Sequence, residues 1–266
     1  MALNESHKQY LHLMGVQPWE LRNARSDAHP PAVAQAQPGE QSAEERTAAE
    51  AHHSSVETVS IPSAVVNSTS AQGPSSDAVA VMDWEPLQDA VTHCRQCELH
   101  QSRTQTVFGV GNRQAQWMVV GEAPGADEDR QGEPFVGRAG QLLNNMLYAI
   151  GLQRESVYIA NILKCRPPNN RDPKSDEVAQ CEAYLKRQVA LIQPKIILAV
   201  GRIAAHNLLK TDTSLAKLRQ KTFHYADTET PLVVTYHPAY LLRSPREKRK
   251  AWQDLQYAVS VFKKQK

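Results

Sequence analysis

Residues 121–140 read GEAPGADEDRQGEPFVGRAG. They follow a short apolar run, Trp117–Gly121, which has the length and composition of a buried strand. Apolar residues at helical spacing then occupy residues 139–150. In open α/β sheets, ligands bind where a strand passes through a loop into a helix. The stretch therefore predicts an α/β fold and indicates where a site lies.

The loop combines carboxylates, bare backbone and one aromatic ring. Its acidic side chains are Glu122, Asp127, Glu128 and Asp129, and Phe135 follows them in the sequence Pro-Phe-Val-Gly. The alternative is an acidic loop exposed to solvent, but such a loop would not need Pro-Phe-Val. The loop matches neither a P-loop nor the G-x-G-x-x-G fingerprint, so nucleotide-dependent chemistry is the poorer interpretation.

Strand and helix patterns alternate along the rest of the C-terminal part. The predicted strands are residues 157–161, 195–201 and 232–236, and the predicted helices are residues 84–94, 175–192, 203–209 and 246–264. Because the strands are continuous apolar runs between helices, a parallel sheet covered on both faces is expected.

Charge is distributed unevenly over the 266 residues. Residues 1–83 hold 4 Lys and Arg against 10 Asp and Glu, a net charge of −6, and residues 84–266 hold 26 against 18, a net charge of +8. A basic domain points to a polyanionic partner. The sequence has no apolar run of about 18 residues that could span a membrane. It also has no signal-peptide pattern, so a cytoplasmic location is expected.

The N-terminal part is predicted to contain two segments. Residues 26–83 are rich in Ala, Ser, Pro, Gln and Glu and contain no Trp, Tyr or Phe, which predicts a disordered linker. Residues 1–25 contain apolar anchors between residues 10 and 19, and we interpret them as a docking peptide rather than a frayed remnant. This decapeptide resembles the N-terminal segment of the psi subunit of bacterial DNA polymerase III, which implies a clamp-loader partner. Residues 84–266 form the predicted globular domain.

The four cysteines are Cys94, Cys97, Cys165 and Cys181, in the spacing C-x2-C-x67-C-x15-C. In a reducing compartment they are not expected to form structural disulfides. Four thiolates suit either a tetrahedral zinc ion or a [4Fe–4S] cluster, and the spacing alone does not choose between them. Four unrelated free cysteines are the third possibility.

Two further residues lie at predicted strand ends. The amide of Asn161 could read the edge of a base, although Asn at a strand end is also a common turn former. His237 begins the sequence HPAYLLR, in which two leucines precede a basic run. Exposed leucines beside basic residues are typical of a wedge inserted into a base stack. Alternatively, Leu241 and Leu242 pack beneath a solvated basic helix.

Taken together, these segments resemble the family 4 uracil-DNA glycosylases, the iron–sulfur branch of that superfamily, over residues 84–262. The motifs that carry the resemblance are C-x-x-C at residues 94–97, VFGVG at 107–111, GEAPGADED at 121–129, PFVGRAGQLL at 134–143, YIANILKCRPPNNR at 158–171 and HPAYLLR at 237–243.

The resemblance implies a three-layer α/β/α sandwich whose central sheet has four parallel strands in the order 2-1-3-4. It implies a [4Fe–4S] cluster held by the four cysteines, and hydrolysis of the N-glycosidic bond of deoxyuridine in DNA. The product would be an abasic site, and the protein is expected to act as a monomer. The alternative, from a different class, is a non-catalytic module that binds uracil or other damage.

The resemblance also assigns roles to individual residues. The uracil-binding set comprises Glu122, Ala123, Pro124, Phe135, Asn161 and His237, the catalytic set comprises His237, Glu122 and Glu128, and the DNA-binding set comprises Leu241 as wedge and Arg243 on a phosphate. Better-known uracil glycosylases carry a water-orienting aspartate where this chain has Ala123. Glu122, and after it Glu128, are therefore the candidates for that carboxylate. The Lys-Arg-Arg-Ile-His insertion of a related group that bonds covalently to uracil is absent, so turnover is expected.

Overall fold

A computed structural model of the chain describes residues 73–226 and 228–265. The predicted docking peptide (residues 1–25, with its anchors at 10–19) lies outside the described residues. Residues 26–72 of the predicted linker also lie outside them. Within the described ranges, no helix is long and apolar enough to cross a membrane.

The centre of the fold is a sheet of six strands in the order β1-β3-β2-β4-β6-β5. The strands are β1 (Val110–Gly111), β2 (Trp117–Gly121), β3 (Tyr158–Asn161), β4 (Ile196–Val200), β5 (Phe223–His224) and β6 (Pro231–Thr235). The pairs β2–β3, β2–β4 and β4–β6 are parallel, whereas β1 pairs with β3 and β5 pairs with β6 in the antiparallel sense. The α/β prediction is confirmed. The predicted central sheet of four parallel strands in the order 2-1-3-4 is corrected to a mixed sheet of six strands, because the short strands β1 and β5 pair at its edges in the antiparallel sense.

Helices surround the sheet. They are α1 (Ser76–Ala80), α2 (Trp84–Thr92), α3 (Ala126–Gln131), α4 (Arg138–Ala149), α5 (Ser175–Ile192), α6 (Arg202–Leu209), α7 (Leu215–Leu218), α8 (Pro238–Arg243) and α9 (Lys248–Lys263). Four short 3₁₀ turns cover Glu98–Gln101, Arg154–Ser156, Pro168–Asn170 and Pro245–Glu247.

Both faces of the sheet are buried. Successive strand residues point to opposite sides, so each strand contributes to two cores. On one face, Trp117 and Val119 of β2 belong to an apolar core that includes residues of α4 and α9. On the other face, Met118 and Val120 belong to a core with residues of α5 and α6. This arrangement explains why the strands read as unbroken apolar runs in the sequence.

Four helices, α1, α3, α7 and α8, lie where the sequence predicted none. Helix α1 falls inside the range predicted to be a disordered linker, so ordered structure begins before Trp84. Its one buried residue, Val79, packs in a small core with Leu87 and Tyr184, a contact that a composition argument cannot see. Helix α3 occupies the middle of the acidic loop, where Glu128 accepts a hydrogen bond from the backbone N–H of Gly125 at the helix start.

Candidate active site

A cleft of about 620 Å³ opens at the carboxyl ends of the parallel strands. This is the edge of an open α/β sheet at which ligands bind. Its lining includes eight residues predicted from the sequence, namely Glu122, Ala123, Pro124, Glu128, Phe135, Asn161, His237 and Arg243. They come from the end of β3 and from the segments that follow β2 and β6, so the fold brings three distant segments into one cavity.

A glycine allows two of these side chains to meet. A Cβ atom at Gly121 would lie 2.4 Å from Oδ1 of Asn161 and 2.6 Å from Cζ of Phe135. Gly121 and Asn161 are also paired across the parallel β2–β3 ladder. The bare backbone at Gly121 is therefore what lets the amide and the aromatic ring share one end of the cleft.

Phe135 is held in a backbone conformation that a residue with a side chain rarely adopts. Its φ is 55°, in the left-handed region, which costs free energy unless the surroundings enforce it. Arg154 supplies part of that support, because its guanidinium donates hydrogen bonds to the carbonyl oxygens of Pro134 (2.6 Å) and Phe135 (3.2 Å). Gly140 is also required, since a Cβ there would lie 1.8 Å from the Phe135 carbonyl oxygen.

Glu128 anchors the same loop. One carboxylate oxygen accepts hydrogen bonds from the backbone N–H groups of Val136 (2.9 Å) and Gly137 (3.2 Å), and the other accepts from Gly125 (3.1 Å). A carboxylate with three backbone donors is committed to holding the chain in place. Of the two carboxylates predicted to be catalytic, Glu128 is therefore placed to position the loop.

His237 faces Phe135 across the cleft, with ring centroids 5.6 Å apart and an interplanar angle of 33°. Its Nδ1 accepts a hydrogen bond from the backbone N–H of Ala239 at 3.2 Å, which caps helix α8. Burial, and then the nearby Arg243 cation, lower the pKa of His237 to about 4, and the negative charge of Glu128 opposes them. The ring is therefore neutral at pH 7. Because Nδ1 acts as the acceptor, Nε2 carries the proton and is the free donor.

Glu122 has a different environment from Glu128. Burial, and then the negative charge of Asp172, raise the pKa of Glu122 to about 7, while the Arg202 cation opposes them. Asp172 and Arg202 line the same cleft and form an ion pair at 2.7 Å. A carboxyl group that titrates near neutral pH in a cleft is suited to proton transfer.

Asn161 is buried at 2% exposure, and its side-chain oxygen has no hydrogen-bond partner among the described residues. Such an oxygen is costly to bury unless a ligand or a water molecule satisfies it. At the floor of a cleft, it constitutes an acceptor prepared for a ligand N–H.

The structure buries the residue predicted to be the wedge. Leu241 is only 1% exposed and packs in the core beneath the sheet, and Leu242 is half-buried against the same core. The reason is the helical phase of α8, which begins at Pro238 and turns Leu241 inward. Arg243 lines the cleft, as does Tyr240, an exposed aromatic residue whose ring stacks on Tyr236.

All four cysteines line a second, small cavity, called here the cysteine cavity, together with Arg103, Lys164 and Tyr184. Arg103 donates one hydrogen bond to Sγ of Cys165 (3.0 Å) and another to the carbonyl oxygen of Cys94 (2.9 Å). Burial raises the pKa of Cys165, so a cation or an electrophilic metal is needed to favour its thiolate.

The cysteine cavity has some features of a metal site. The Tyr184 hydroxyl is buried there without a hydrogen-bond partner among the described residues. Among residues 73–226 and 228–265, no group of three or more His, Cys, Asp or Glu side chains is arranged to hold a metal ion. The chemistry of the donor set, four cysteines around one cavity with a guanidinium on one sulfur, nevertheless fits an anionic metal–thiolate centre.

Sequence reasoning missed several residues that line or support the two cavities. Arg154 lies 19 positions from Phe135, and Arg103 lies 62 positions from Cys165. Neither belongs to a recognisable motif, so no local signal could have found them. Asp172 and Arg202 could have been suspected, because each follows a predicted strand end or a segment already singled out.

The chain is similar in sequence to known uracil-DNA glycosylases. The family model described as the uracil DNA glycosylase superfamily matches residues 108–256. The chain is 47% identical over 171 residues to the type-4 uracil-DNA glycosylase of Archaeoglobus fulgidus, covering 61% of this chain and 86% of that protein. It is 41% identical over 180 residues to the type-4 enzyme of Pyrobaculum aerophilum (65% and 92% covered), and 40% identical over 184 residues to that of Thermotoga maritima (68% and 95% covered). The chain therefore belongs to the uracil DNA glycosylase superfamily and, within it, to the type-4 uracil-DNA glycosylases.

Proposed function

We propose that this protein hydrolyses the N-glycosidic bond of deoxyuridine in DNA, releases uracil and leaves an abasic site for repair. One observation carries the proposal: the buried Oδ1 of Asn161, which has no hydrogen-bond partner in the described part of the chain, lies in the same cleft as an aromatic ring and a neutral histidine. The chain aligns with 86–95% of the length of three relatives that are named type-4 uracil-DNA glycosylases.

Recognition follows from the hydrogen-bonding groups of the base. Uracil must leave the base stack to be reached, and Phe135 stacks on the everted ring. The Oδ1 atom of Asn161 accepts the N3–H of uracil, and its amide NH₂ donates to O4. Cytosine has no hydrogen at N3 and presents an amino group at position 4, so both contacts would be lost. The backbone of Glu122, Ala123 and Pro124 closes the pocket around the ring.

Cleavage develops negative charge on the base and positive charge on the sugar. The bond between C1′ and N1 breaks, and its electron pair moves onto uracil N1 and O2. The Nε2–H group of His237 donates to O2, which stabilises the leaving anion without transferring a proton beforehand. The carboxylate of Glu122 stabilises the cationic sugar and orients the water that adds at C1′. The proton that this water loses passes to the same carboxylate. Glu128 holds the loop that carries Phe135, and Arg243 binds a DNA phosphate.

The four cysteines would hold a [4Fe–4S] cluster. When bound, such a cluster supplies a cross-link between the segment after α2, which carries Cys94 and Cys97, and the β3–α5 region, which carries Cys165 and Cys181. Arg103 donates to Cys165 and ties it to the backbone of Cys94. Four thiolates also suit a tetrahedral zinc ion, so zinc is the alternative that a metal analysis would distinguish from the cluster.

The experiment is excision from a labelled oligonucleotide that contains one uracil, followed by alkaline cleavage. Matched oligonucleotides carry cytosine or thymine at the same position. We expect strand cleavage only with uracil. If the protein binds the uracil strand but does not cut it, the function would be that of the non-catalytic binding module.

A further inference from the structure

Lys164 is a buried cation that the proposed mechanism does not use. Its side chain is 1% exposed, and lysine is rarely buried to this extent unless it is paired. No ion pair within the described residues includes it. An amine placed at such a cost needs a structural or functional reason.

Its partners are two neutral oxygens. The Lys164 Nζ donates to the backbone carbonyl of Asn161 at 3.0 Å and to Oε1 of Gln188 at 2.7 Å. Gln188, on α5, is itself fixed, because its amide donates to the carbonyl of Phe108 (2.9 Å) and to the Tyr158 hydroxyl (3.2 Å). The amine therefore sits in a chain of hydrogen bonds in which Lys164 and Gln188 each donate to two defined acceptors.

The same amine borders the cysteine cavity. Lys164 lines that cavity and immediately precedes Cys165, and Gln188 lies on the helix that carries Cys181. With thiolates in the cavity, the ammonium group of Lys164 would be a positive charge in its lining, as would the guanidinium of Arg103. One side chain thus contacts both the end of β3, where Asn161 recognises the base, and the surroundings of the cysteines.

We propose that Lys164 is a positioning residue that joins the cysteine cavity to Asn161, so that uracil recognition depends on this buried amine. The inference rests on the proposed function and extends it to a residue that does not touch the base. By fixing the Asn161 carbonyl, Lys164 fixes the backbone from which the amide side chain extends. Among the described residues, Oδ1 of Asn161 has no hydrogen-bond partner of its own before uracil binds. A loaded metal centre would hold Lys164 in place from the other side.

The test compares Lys164→Met with Gln188→Met and a matched control, Lys186→Met, whose lysine is exposed on the same helix α5. Three quantities are measured on the purified, metal-loaded proteins: the dissociation constant of free uracil by calorimetry, the affinity for uracil-free DNA, and the melting temperature. Replacing a residue that orients a binding group without touching the ligand typically lowers affinity or activity by about 10–100-fold. We expect Lys164→Met to weaken uracil binding by about that factor and to leave the affinity for uracil-free DNA unchanged. Gln188→Met should weaken uracil binding less, and Lys186→Met should not.

The outcomes separate this inference from the proposed function. A merely structural lysine would lower the melting temperature while the uracil dissociation constant of the folded fraction stays at the wild-type value, and that result overturns the inference. If Lys164→Met does not fold, Gln188→Met decides, because it removes one acceptor and leaves the lysine in place; wild-type uracil affinity would again refute the coupling. A wild-type protein that neither binds uracil nor excises it would instead overturn the proposed function.

Discussion

Replacing Glu122 with Gln tests the assignment of the catalytic carboxylate. Because burial and Asp172 raise the pKa of Glu122 to about 7, this group stays protonated until neutral pH. The ionised form is the one that orients water, so the wild-type rate should rise with pH. Its ionised fraction increases from about a tenth at pH 6 to about nine tenths at pH 8, which predicts a rise in rate of about tenfold. The Gln variant should lose this rise and fall by about 10²–10⁴-fold at high pH.

The assay is single-turnover excision with enzyme in excess over a labelled oligonucleotide, measured from about pH 5.5 to about pH 9. His237, with a pKa of about 4, stays neutral throughout and adds no further transition. Glu128→Gln is the control: because that carboxylate anchors backbone N–H groups, its loss should lower the rate without removing the rise near pH 7. A wild-type rate that is flat between about pH 6 and about pH 8, or a Glu122→Gln variant with an unchanged pH profile, would refute the reasoning.

Three further perturbations follow from the geometry. His237→Ala removes the Nε2–H donor and should lower kcat by about 10²–10³-fold with the fold retained, as checked by circular dichroism; a rate close to wild type would contradict the assignment. Leu241→Ala should lower the free energy of unfolding by about 2–5 kcal/mol in urea titrations, because Leu241 is buried in the core. The half-buried Leu242 should cost less on the same change, and equal stability of Leu241→Ala and wild type would argue for an exposed wedge after all. Cys165→Ser should abolish absorbance at about 400 nm and lower the iron content, while a colourless wild-type protein that contains zinc would exclude the cluster.

The sequence predicted the parts of this fold that follow from periodicity and from strand ends. Apolar runs such as Trp117–Gly121 are buried on both faces of the sheet, and residues that follow such runs meet at one edge because the strands are parallel. That rule is sufficient to bring Glu122, Asn161 and His237 into one cleft. Strands of two residues, such as Val110–Gly111, are too short to show any periodicity.

Features that depend on tertiary contacts could not be predicted in this way. Whether Leu241 points to solvent depends on where α8 begins, and Pro238 sets that phase. Assigning the catalytic carboxylate to Glu122 or Glu128 required knowing how the loop folds back. The backbone N–H groups of Val136 and Gly137 donate to Glu128. Helix α1 is stabilised by a single buried valine, Val79, which packs in the small core with Leu87 and Tyr184. Each of these outcomes is decided by neighbours distant in the chain or by a one-residue difference in helix start.

The most direct test of the account is a crystal structure of the protein with free uracil bound. We predict that the ring lies in the cleft against Phe135, with its N3–H on Oδ1 of Asn161 and its O2 facing Nε2 of His237. Uracil bound elsewhere on the protein, or in the cleft with O2 turned away from His237, would contradict the account.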